Sequence, residues 1–567
     1  MNISKANNLL EVFFWQFNNQ KNNEDIFLNS IKNPEKSYTW ADTKYSIFKF
    51  KKYLKKHIQN GDRCLLVSEN RPEWLISDLA IMYAGGITVP SYTTYIEKDY
   101  EYIINDCTPS IIIVSNEYLY NKMINIINEN NFIKKVILID SIKKENLSDK
   151  VVFFENILKE NISDFIENEI KINREDLACI IYTSGTGGNP KGVMLSHGGI
   201  LSNCEGSINL IKPLLGKKTR FLTWLPLSHS YEHTVQFIQI AVGAKIYYAE
   251  SIDKLIKNMG EAKPEIMTAV PRFYQNLYQK INSNFKKQKG FKKKIIELTV
   301  KLGEKALKNE TLDFKEKLIN KLCEILVRKK IKKQFGGALK AFVSGGGALD
   351  QEIGIFLNAI GLPTLQGYGL TEASPVVSCN PIDNIQVDTV GPPFNGNKVK
   401  LASDGEILVK GENVMIGYWN QPEETKKIIK DGWLFTGDIG EFKNNYLKIT
   451  DRKKDIIVNS GGDNISPLKI ENLLTNHKEI EQCLIYGDKK NYLVALIVPS
   501  EEFIEKINEI EKKIELVNEE LSLMEKIKKF YVVKEKFSIN NRMLTPTLKL
   551  KRYKIVQMYK KEFENLY

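Results

Sequence analysis

One short segment concentrates the groups that bind phosphate. Residues 181–192 read Ile-Tyr-Thr-Ser-Gly-Thr-Gly-Gly-Asn-Pro-Lys-Gly and follow an apolar run typical of a buried strand. Glycines let several N–H groups converge on one anion, hydroxyls add donors, and a lysine adds a positive charge. The spacing differs from a P-loop, where Ser or Thr and a helix follow the lysine, and from the Rossmann glycine pattern.

The segment therefore predicts a polyphosphate-binding loop, with an ordinary Gly/Ser turn as the alternative. Its candidate ligands are Thr183, Ser184, Gly185, Thr186, Gly187, Gly188 and Lys191.

The sequence on either side of this loop predicts an α/β fold. Strand-like segments at 64–68, 87–90 and 110–115 alternate with helical ones, including an amphipathic helix over 74–83. This rhythm is typical of βαβ units around a parallel sheet, and it continues through 240–275 and 338–370. Asp350 is placed to cap a helix that follows a glycine-rich turn.

The second half of the chain contains three regions with different predicted secondary structure. Residues 276–335 are helical and lysine-rich, and residues 395–450 predict short strands with turns. A charged linker over 451–455 precedes a small α/β region, with a helix near 467–475, strands at 482–486 and 492–498, and then charged helices. We therefore predict an N-terminal domain over 1–452 and a C-terminal domain over 453–567.

Composition limits the class of protein. The chain has 567 residues, 43% of them apolar, which is ample for more than one domain. Seven widely spaced cysteines favour a reducing cytosol over a disulfide framework or zinc site. The N-terminus has no signal-peptide pattern, and no uncharged run reaches the length of a bilayer span. These features predict a cytoplasmic protein, soluble or peripheral on the inner face of the membrane.

The lysine runs of residues 276–335 have a plain interpretation as a solvated helical face. The alternative is contact with anionic lipid headgroups, which would suit an enzyme that collects a lipid substrate. Nucleic acid is not an expected partner, because the runs lack interleaved aromatic residues and a recognition motif.

Five further segments carry groups suited to nucleotide chemistry. They are Gln366-Gly-Tyr-Gly-Leu-Thr-Glu372, Trp433-Leu-Phe-Thr-Gly-Asp438, Ile449-Thr-Asp-Arg452, Ser460-Gly-Gly-Asp-Asn-Ile465 and Leu544-Thr-Pro-Thr-Leu-Lys549-Leu-Lys-Arg552. Taken singly, they have ordinary interpretations: a packed tyrosine, a Gly-Asp turn, a surface arginine and a basic tail.

Together with the glycine-rich loop, these segments resemble, in order and spacing, the signatures of the adenylate-forming (AMP-forming) ligases. The resemblance covers nearly the whole chain, with one departure: Gly187 stands where the pattern has Thr, so one hydroxyl donor is missing. The resemblance implies a large N-terminal domain of parallel α/β sheets plus a small β portion. A small, mobile α/β C-terminal domain would follow it.

The resemblance also implies roles in the first half-reaction. Thr371 would reach the α-phosphate, Glu372 would hold Mg²⁺, and Lys549 would be the adenylation lysine, with Lys551 and Arg552 as rival assignments. The implied nucleotide-binding residues are Gly345, Gly346, Gln366, Gly367 and Tyr368 around adenine and the acyl pocket, and Asp438 and Arg452 at ribose or phosphate.

Two residues would serve the second half-reaction. Lys454 falls at the hinge position, where the C-terminal domain would rotate between the two steps, and Gly461 lies in the turn near the path of CoA.

Several features are similar to the long-chain acyl-CoA synthetase branch. They are Asn70-Arg-Pro-Glu-Trp74, residues 89–94, Leu225-Pro-Leu-Ser-His229, the basic helical segment and the form of the C-terminal lysine motif. His229 would lie near the acyl carboxylate and Trp224 would guard an acyl tunnel. Without the resemblance, His229 is a structural histidine, and a metal pair with His233 is disfavoured because no third ligand is evident.

The implied reaction joins fatty acid, ATP with Mg²⁺, and CoA through an acyl-AMP intermediate. One alternative is a fatty acyl-AMP ligase that passes the acyl group to an acyl carrier protein. Others are an enzyme that adenylates aryl or amino acids, and a nucleotide-binding regulator without catalysis. We expect a monomer or a homodimer.

Overall fold

A computed structural model of the chain describes residues 3–142, 147–160, 171–183, 189–461, 463–545 and 549–567. Two eight-stranded, mostly parallel sheets organise the first part of the chain, up to the strand Gly417–Tyr418. The first sheet has the spatial order Val376–Cys379, Thr364–Gly369, Ala341–Ser344, Ile266–Ala269, Arg220–Thr223, Lys245–Tyr248, Ile26–Ser30 and Tyr38–Thr39. Its two outermost strands, one at each edge, are antiparallel to their neighbours.

The second sheet carries the glycine-rich loop. Its order is Gly417–Tyr418, Lys191–Ser196, Leu177–Thr183, Ile87–Ser91, Arg63–Val67, Ile111–Val114, Lys135–Leu138 and Val151–Phe153. Most strands are parallel to a neighbour and largely buried, as expected when helices cover both faces. The α/β class with parallel sheets is therefore confirmed.

Helices cover the sheets and connect many of their strands. In chain order they are Leu9–Asn18, Trp40–Leu54, Pro72–Tyr83, Glu97–Cys107, Glu117–Asn121, Ile124–Glu129, Phe154–Lys159, His197–Ile211, Ser230–Ala241, Leu255–Ala262, Pro271–Lys286, Gly290–Leu307, Phe314–Cys323, Lys329–Gln334, Gln351–Ala359, Pro422–Ile428, Pro467–Thr475, Ile507–Glu520, Arg552–Met558 and Lys560–Asn565. The Asp350 carboxylate accepts a hydrogen bond from the Ile353 N–H (3.1 Å), which confirms the predicted cap.

The helix Pro72–Tyr83 differs from its prediction. It was expected to be amphipathic, yet all twelve of its residues are buried. The helices Leu9–Asn18 and Trp40–Leu54 pack over it, so even its polar face is enclosed. Buried polar side chains such as Asp78 find partners inside, since the His233 Nε2 lies 2.8 Å from the Asp78 carboxylate.

The basic insert, residues 276–335, is helical as predicted. The helices Gly290–Leu307 and Phe314–Cys323 run antiparallel, because Lys305 pairs with Glu316 at one end and Cys323 contacts Ile295 near the other. A second hydrophobic core, separate from the main one, lies beneath them.

The segment 395–450 forms the predicted β portion, a five-stranded antiparallel sheet, but it also contains the short helix Pro422–Ile428. Its strands are Lys398–Leu401, Glu406–Lys410, Ile429–Lys430, Trp433–Lys443 and Tyr446–Arg452. The last strand corrects one expectation. Asp451 and Arg452 were placed in a charged linker, whereas they end a strand and pair with Ile439 and Asp438.

The C-terminal part contains a two-stranded ladder, Ile457–Val458 with Asn464–Ile465, and a three-stranded sheet. Two strands of that sheet, Ile480–Tyr486 and Leu493–Pro499, match the prediction to within two residues. The third, Ile527–Val532, falls where helices were expected. It pairs in parallel with Leu493–Pro499 and buries Ile527 there, which offsets its two exposed lysines.

All seven cysteines are reduced and buried. Within the described residues, no helix combines the length and the apolar character that crossing a bilayer requires.

Candidate active site

The predicted phosphate loop is a hairpin connection. Thr183 ends one strand and Lys191 begins the next, and the two are register partners in an antiparallel pair. The predicted ligands Ser184, Gly185, Thr186, Gly187 and Gly188 lie outside the described residues. The ends of the loop nevertheless fix its base, where the strand Leu177–Thr183 ends and the strand Lys191–Ser196 begins.

Lys191 at that base is linked to Glu372 through an aromatic residue. The Lys191 ammonium lies 4.9 Å from the centre of the Tyr418 ring, and the Tyr418 hydroxyl donates to the Glu372 carboxylate at 2.8 Å. Lys191 also pairs with Glu424 (2.6 Å), and this contact lowers the pKa of Glu424 to about 2. The hairpin base and the predicted metal ligand are therefore neighbours.

Asp438 is the best-supported side chain of the site. The Tyr368 hydroxyl donates to one of its carboxylate oxygens (2.7 Å) and the Arg452 Nε lies 3.1 Å from the other. Asp438 and Arg452 face each other because they are register partners on adjacent strands. Its own N–H donates to the Thr436 hydroxyl (3.1 Å), and only 4% of the residue is exposed. The carboxylate in turn raises the pKa of Arg452.

The predicted adenine segment, Gln366 to Glu372, begins within the strand Thr364–Gly369. Burial and the nearby Asp438 carboxylate raise the pKa of Tyr368 well above its usual value, so its hydroxyl stays a donor. Gly367 faces Cys379 across the antiparallel edge. The Gln366 side-chain oxygen is buried and has no hydrogen-bond partner among the described residues. Buried polar groups in folded proteins are usually hydrogen-bonded.

His229 and Thr371 meet through the start of one helix. His229 caps the helix Ser230–Ala241, and its Nδ1 accepts a hydrogen bond from the Tyr231 N–H at 3.1 Å. The next residue, Ser230, shares a hydrogen bond with the Thr371 hydroxyl (3.0 Å). Burial, with a smaller contribution from Lys549, lowers the pKa of His229 to about 3, so the imidazole is neutral with its proton on Nε2.

The glycine-rich turn after the strand Ala341–Ser344 packs against the same helix. A Cβ added to Gly345 would lie 2.8 Å from the Tyr231 ring, and Gly346 has φ +79°. Both positions therefore require glycine, one for close approach and one for backbone conformation.

Behind His229 lies a carboxyl group that the sequence analysis did not select. Glu232 is fully buried and its Oε2 accepts a hydrogen bond from the Thr268 hydroxyl (2.8 Å). The Thr268 carbonyl in turn accepts from the indole N–H of Trp224 (2.7 Å). Burial raises the pKa of Glu232 to about 8, so this carboxyl is protonated at neutral pH.

Lys549, from the C-terminal part of the chain, lies close enough to Asp438, Arg452 and Glu372 to interact with their charges. A small hairpin presents it, since the Lys549 N–H donates to the Thr545 hydroxyl (3.0 Å). Surrounding protein and the Arg452 charge lower the pKa of Lys549 to about 8, while Asp438 and Glu372 act in the opposite direction. The side chain remains exposed to solvent, so the shift reflects a crowded open cleft and not enclosure in a core.

The rival lysine-motif assignments lie elsewhere. Arg552 is paired with Glu471 inside the C-terminal part. Burial lowers the pKa of Lys551, and the charge with the largest effect on it is that of Asp99. Two other predicted residues are also apart from the cluster. Lys454 is exposed in the turn that follows the strand ending at Arg452. The Gly461 N–H donates to Asn459 (2.9 Å) within its own turn.

Sequence reasoning therefore listed most of these residues, but besides Glu232 it missed three that contact them. Tyr418, Glu424 and Ser230 were not selected, although they contact Glu372, Lys191 and Thr371 respectively. Only Ser230 offered a signal, because it directly follows His229 in the chain.

The comparison with known proteins agrees with this geometry. The profile described as AMP-binding enzyme matches residues 13–419, and the profile of the AMP-binding enzyme C-terminal domain matches residues 454–567. The chain therefore belongs to the AMP-binding enzyme family, the adenylate-forming ligases.

Two curated relatives narrow the assignment. Long-chain-fatty-acid–CoA ligase 5 of Rattus norvegicus is 30% identical, over 88% of this chain and 79% of the relative. The long-chain-fatty-acid–CoA ligase FadD15 of Mycobacterium bovis is 29% identical, over 90% of this chain and 88% of the relative. The chain is an AMP-forming acid–thiol ligase of the long-chain acyl-CoA synthetase branch.

Solved structures support the fold. The crystal structure of the anthranilate CoA ligase AuaEII in complex with anthranoyl-AMP aligns over the whole of both chains, with a TM-score of 0.77 and 20% identity.

Proposed function

We propose that this protein is a long-chain fatty acid:CoA ligase that activates a fatty acid with ATP and then transfers the acyl group to CoA. The observation that carries the proposal is the convergence of Lys549, Glu372, Asp438, Arg452 and His229 on one cleft. These residues come from distant parts of the chain, and each suits a different part of an adenylation reaction.

In the proposed first step, the fatty acid carboxylate attacks the α-phosphorus of ATP and pyrophosphate leaves. The protein supplies position and positive charge and needs no nucleophile of its own. Asp438 accepts hydrogen bonds from the ribose hydroxyls, with Tyr368 and Arg452 holding its carboxylate. Lys191 and the predicted loop ligands 184–188 bind the phosphates. Lys549 stabilises the charge that builds up in the transition state.

The adenine ring is assigned to the glycine segment around Tyr368. The buried, unpaired oxygen of Gln366 suits the exocyclic amine of adenine, and Gly367 leaves room for the ring. Gly345 and Gly346 line the wall between nucleotide and acyl group, against the helix that begins at Ser230.

The site also suits Mg²⁺, which the family uses with ATP. Mg²⁺ is bound through one or two carboxylates together with substrate phosphates. Glu372 supplies one carboxylate, and no cluster of three His, Cys, Asp or Glu residues competes for the ion among the described residues. Glu372 would hold the ion, with Thr371 beside it. The ion would neutralise charge on the phosphate oxygens.

His229 is proposed to hold the acyl carboxylate. Its neutral ring has Nδ1 occupied by the Tyr231 N–H, so Nε2–H is the donor available to a substrate oxygen. Trp224 is the proposed guard of the acyl tunnel. It lies 5.6 Å from the Phe273 ring, at the start of an apolar region that extends under the basic insert.

The second step needs a thiol to attack the acyl carbon and release AMP. We assign this step to a rotation of the C-terminal domain, residues 453–567, about a hinge at Lys454, which would bring the Gly461 turn towards CoA. An acyl carrier protein is the alternative acceptor. We place the enzyme in the cytoplasm, as a monomer or homodimer.

The test is to incubate the full-length protein with ATP, Mg²⁺ and saturated fatty acids of graded length, with and without CoA, and to identify products by mass spectrometry. The proposal expects acyl-CoA and AMP, with the highest rate for long chains. Acyl-AMP that accumulates and ignores CoA would favour the carrier protein as acceptor. Adenylation of aryl or amino acids, but not of fatty acids, would contradict the proposal.

A further inference from the structure

The lysine assigned to the phosphates of ATP already has an acidic partner inside the chain. The Lys191 ammonium lies 2.6 Å from a carboxylate oxygen of Glu424. Hydrogen bonds between ionised groups are stronger than neutral ones, and a phosphate oxygen is an acceptor of the same kind as a carboxylate oxygen. The reaction steps described above give Glu424 no role.

Main-chain pairing, and not two long side chains alone, sets this contact. Lys191 begins a strand that pairs with the strand Gly417–Tyr418. The Tyr418 N–H donates to the Thr425 hydroxyl (2.8 Å), which holds the helix containing Glu424 beside that strand. The pair therefore has a fixed geometry, which most isolated surface ion pairs lack.

The preceding residue of the same helix shows what a surface carboxylate does there. Glu423 pairs with Lys426, three residues later, and both side chains are exposed to solvent. Glu424 has the equivalent helical partner, Lys427, and contacts Lys191 in addition. The contact with Lys191 is therefore a feature beyond the pairing along the helix.

Glu424 is a charged partner at every pH near neutrality. Its contacts with Lys191 and Lys427 lower its pKa to about 2. The paired ammonium also lies over the ring of Tyr418, 4.9 Å from its centre, and the Tyr418 hydroxyl donates to Glu372, the proposed magnesium ligand. The ion pair is therefore part of the site and not of a remote surface.

We propose that Glu424 competes with the polyphosphate of the nucleotide for Lys191 and so limits how tightly MgATP and pyrophosphate bind. The proposal rests on the proposed function, which assigns Lys191 to the phosphates. An ammonium group has three N–H donors, and at least one of them is committed to Glu424. Binding of a phosphate weakens that contact, and the loss reduces the net affinity for the phosphate.

The competition is selective among the ligands of the first step. ATP and pyrophosphate both carry phosphates assigned to Lys191, so both are opposed. AMP has only the α-phosphate, which is assigned to Thr371, and its affinity should not depend on Glu424. After the first step, the carboxylate would recover the lysine and favour the release of pyrophosphate.

The test is calorimetric titration of MgATP, magnesium pyrophosphate and AMP into the full-length wild type and Glu424→Gln. The amide keeps the size of the side chain and removes its charge. We expect Glu424→Gln to bind MgATP and pyrophosphate about three- to tenfold more tightly, and AMP with unchanged affinity. The matched control is Glu423→Gln, which removes a charge one residue away and should bind all three ligands like the wild type.

The direction of the change distinguishes competition from a structural role. A variant with a damaged fold should melt at a lower temperature and bind all three ligands more weakly, whereas competition predicts a gain for two of them. Lys191→Ala should bind MgATP more weakly than the wild type. In that background Glu424→Gln should change the affinity by less than about twofold, because competition requires the lysine.

The proposal is overturned if Glu424→Gln binds MgATP no more tightly than the wild type, or if AMP gains as much as MgATP. It is also overturned if the gain persists undiminished in Lys191→Ala, since Glu424 would then repel the phosphates without competing for the lysine. The titrations contain no fatty acid, so a failure of fatty acid activation is a separate result and leaves the role of Glu424 to be decided by binding.

Discussion

Asp438 and Lys549 contribute to the same cleft but are held in opposite ways. Asp438 belongs to a strand, is almost fully buried, and has its carboxylate fixed by Tyr368 and Arg452. Lys549 is presented by a short hairpin near the C-terminus, is exposed, and interacts with the site through charge. Under the proposed function, this difference corresponds to a nucleotide site preformed in the first 452 residues and a catalytic charge that the C-terminal part delivers.

The same contrast explains why the two residues should respond differently to mutation. A fixed hydrogen-bonded carboxylate contributes to binding in both ground and transition states. A charge delivered from another part of the chain contributes most where negative charge develops.

The largest expected effect is on adenylation by Lys549→Ala. Removing the only lysine of the C-terminal motif that lies in the cluster should slow acid-dependent pyrophosphate exchange by about 100- to 1,000-fold. Lys551→Ala is the matched control and should exchange at close to the wild-type rate, because the charges that act on Lys551 are those of Asp99, Arg542 and Lys554 and not those of the cluster. Equal losses in the two variants would contradict the assignment.

A smaller effect is expected for Asp438→Asn. The change removes a charged acceptor, so kcat/KM for ATP should fall by about 10- to 100-fold, mainly through a higher KM. The wild type should also discriminate against 2′-deoxy-ATP more strongly than the variant does. Asp404→Asn, an exposed carboxylate paired with Lys453, serves as the control and should leave both parameters unchanged. If Asp438→Asn discriminates against 2′-deoxy-ATP as strongly as the wild type does, Asp438 does not bind the ribose.

The pH profile of adenylation gives a further test. Because the free enzyme's Lys549 has a pKa lowered to about 8, its protonated fraction falls as pH rises through that value. The kcat/KM for ATP should therefore decline above about pH 8, since this parameter reports the free enzyme. Lys549→Arg keeps its charge and should lack this decline, even if its rate is lower. If kcat/KM for ATP still declines in Lys549→Arg, the decline is caused by the titration of another group.

Particular residues show how far the sequence alone could lead. The buried strands and the glycine-rich motifs were predictable because local pattern and final environment agree, as at Leu177–Thr183. The helix Pro72–Tyr83 was predicted but its burial was not, since its polar residues suggested a solvent face. The strand Ile527–Val532 was missed because its lysines are not typical of a strand, and its pairing is with the distant strand Leu493–Pro499.

The site shows the same limit. The motif residues could be listed from the sequence, and Asp438 and Arg452 proved to be direct neighbours. Tyr418 could not be found, because its contact with Glu372 joins positions 46 residues apart and a tyrosine in a short strand is not unusual. Long-range contacts of single side chains carry no local pattern.

The smallest expected effect concerns Glu232, the buried carboxyl group three residues after His229. Folding raises the pKa of Glu232 to about 8, so the folded state keeps a proton that the unfolded chain releases above about pH 4.3. This contribution to stability is complete below pH 4.3 and is lost as pH rises through 8. Glu232→Gln should keep the Thr268 contact and be more stable than the wild type at pH 9, by on the order of 2 kcal/mol.

Denaturant unfolding of both proteins at pH 6 and pH 9 measures this difference. A wild type that loses no more stability than Glu232→Gln between the two values would show that Glu232 does not titrate in the folded state.

The most direct test of the contrast between Asp438 and Lys549 is calorimetric titration of AMP into the wild type, Lys549→Ala and Asp438→Asn. A preformed nucleotide site predicts that Lys549→Ala binds AMP with a Kd within about threefold of the wild type, although it has lost adenylation, while Asp438→Asn binds at least about 10-fold more weakly. If Lys549→Ala loses AMP binding as severely as Asp438→Asn, the nucleotide site is not preformed and the account is contradicted.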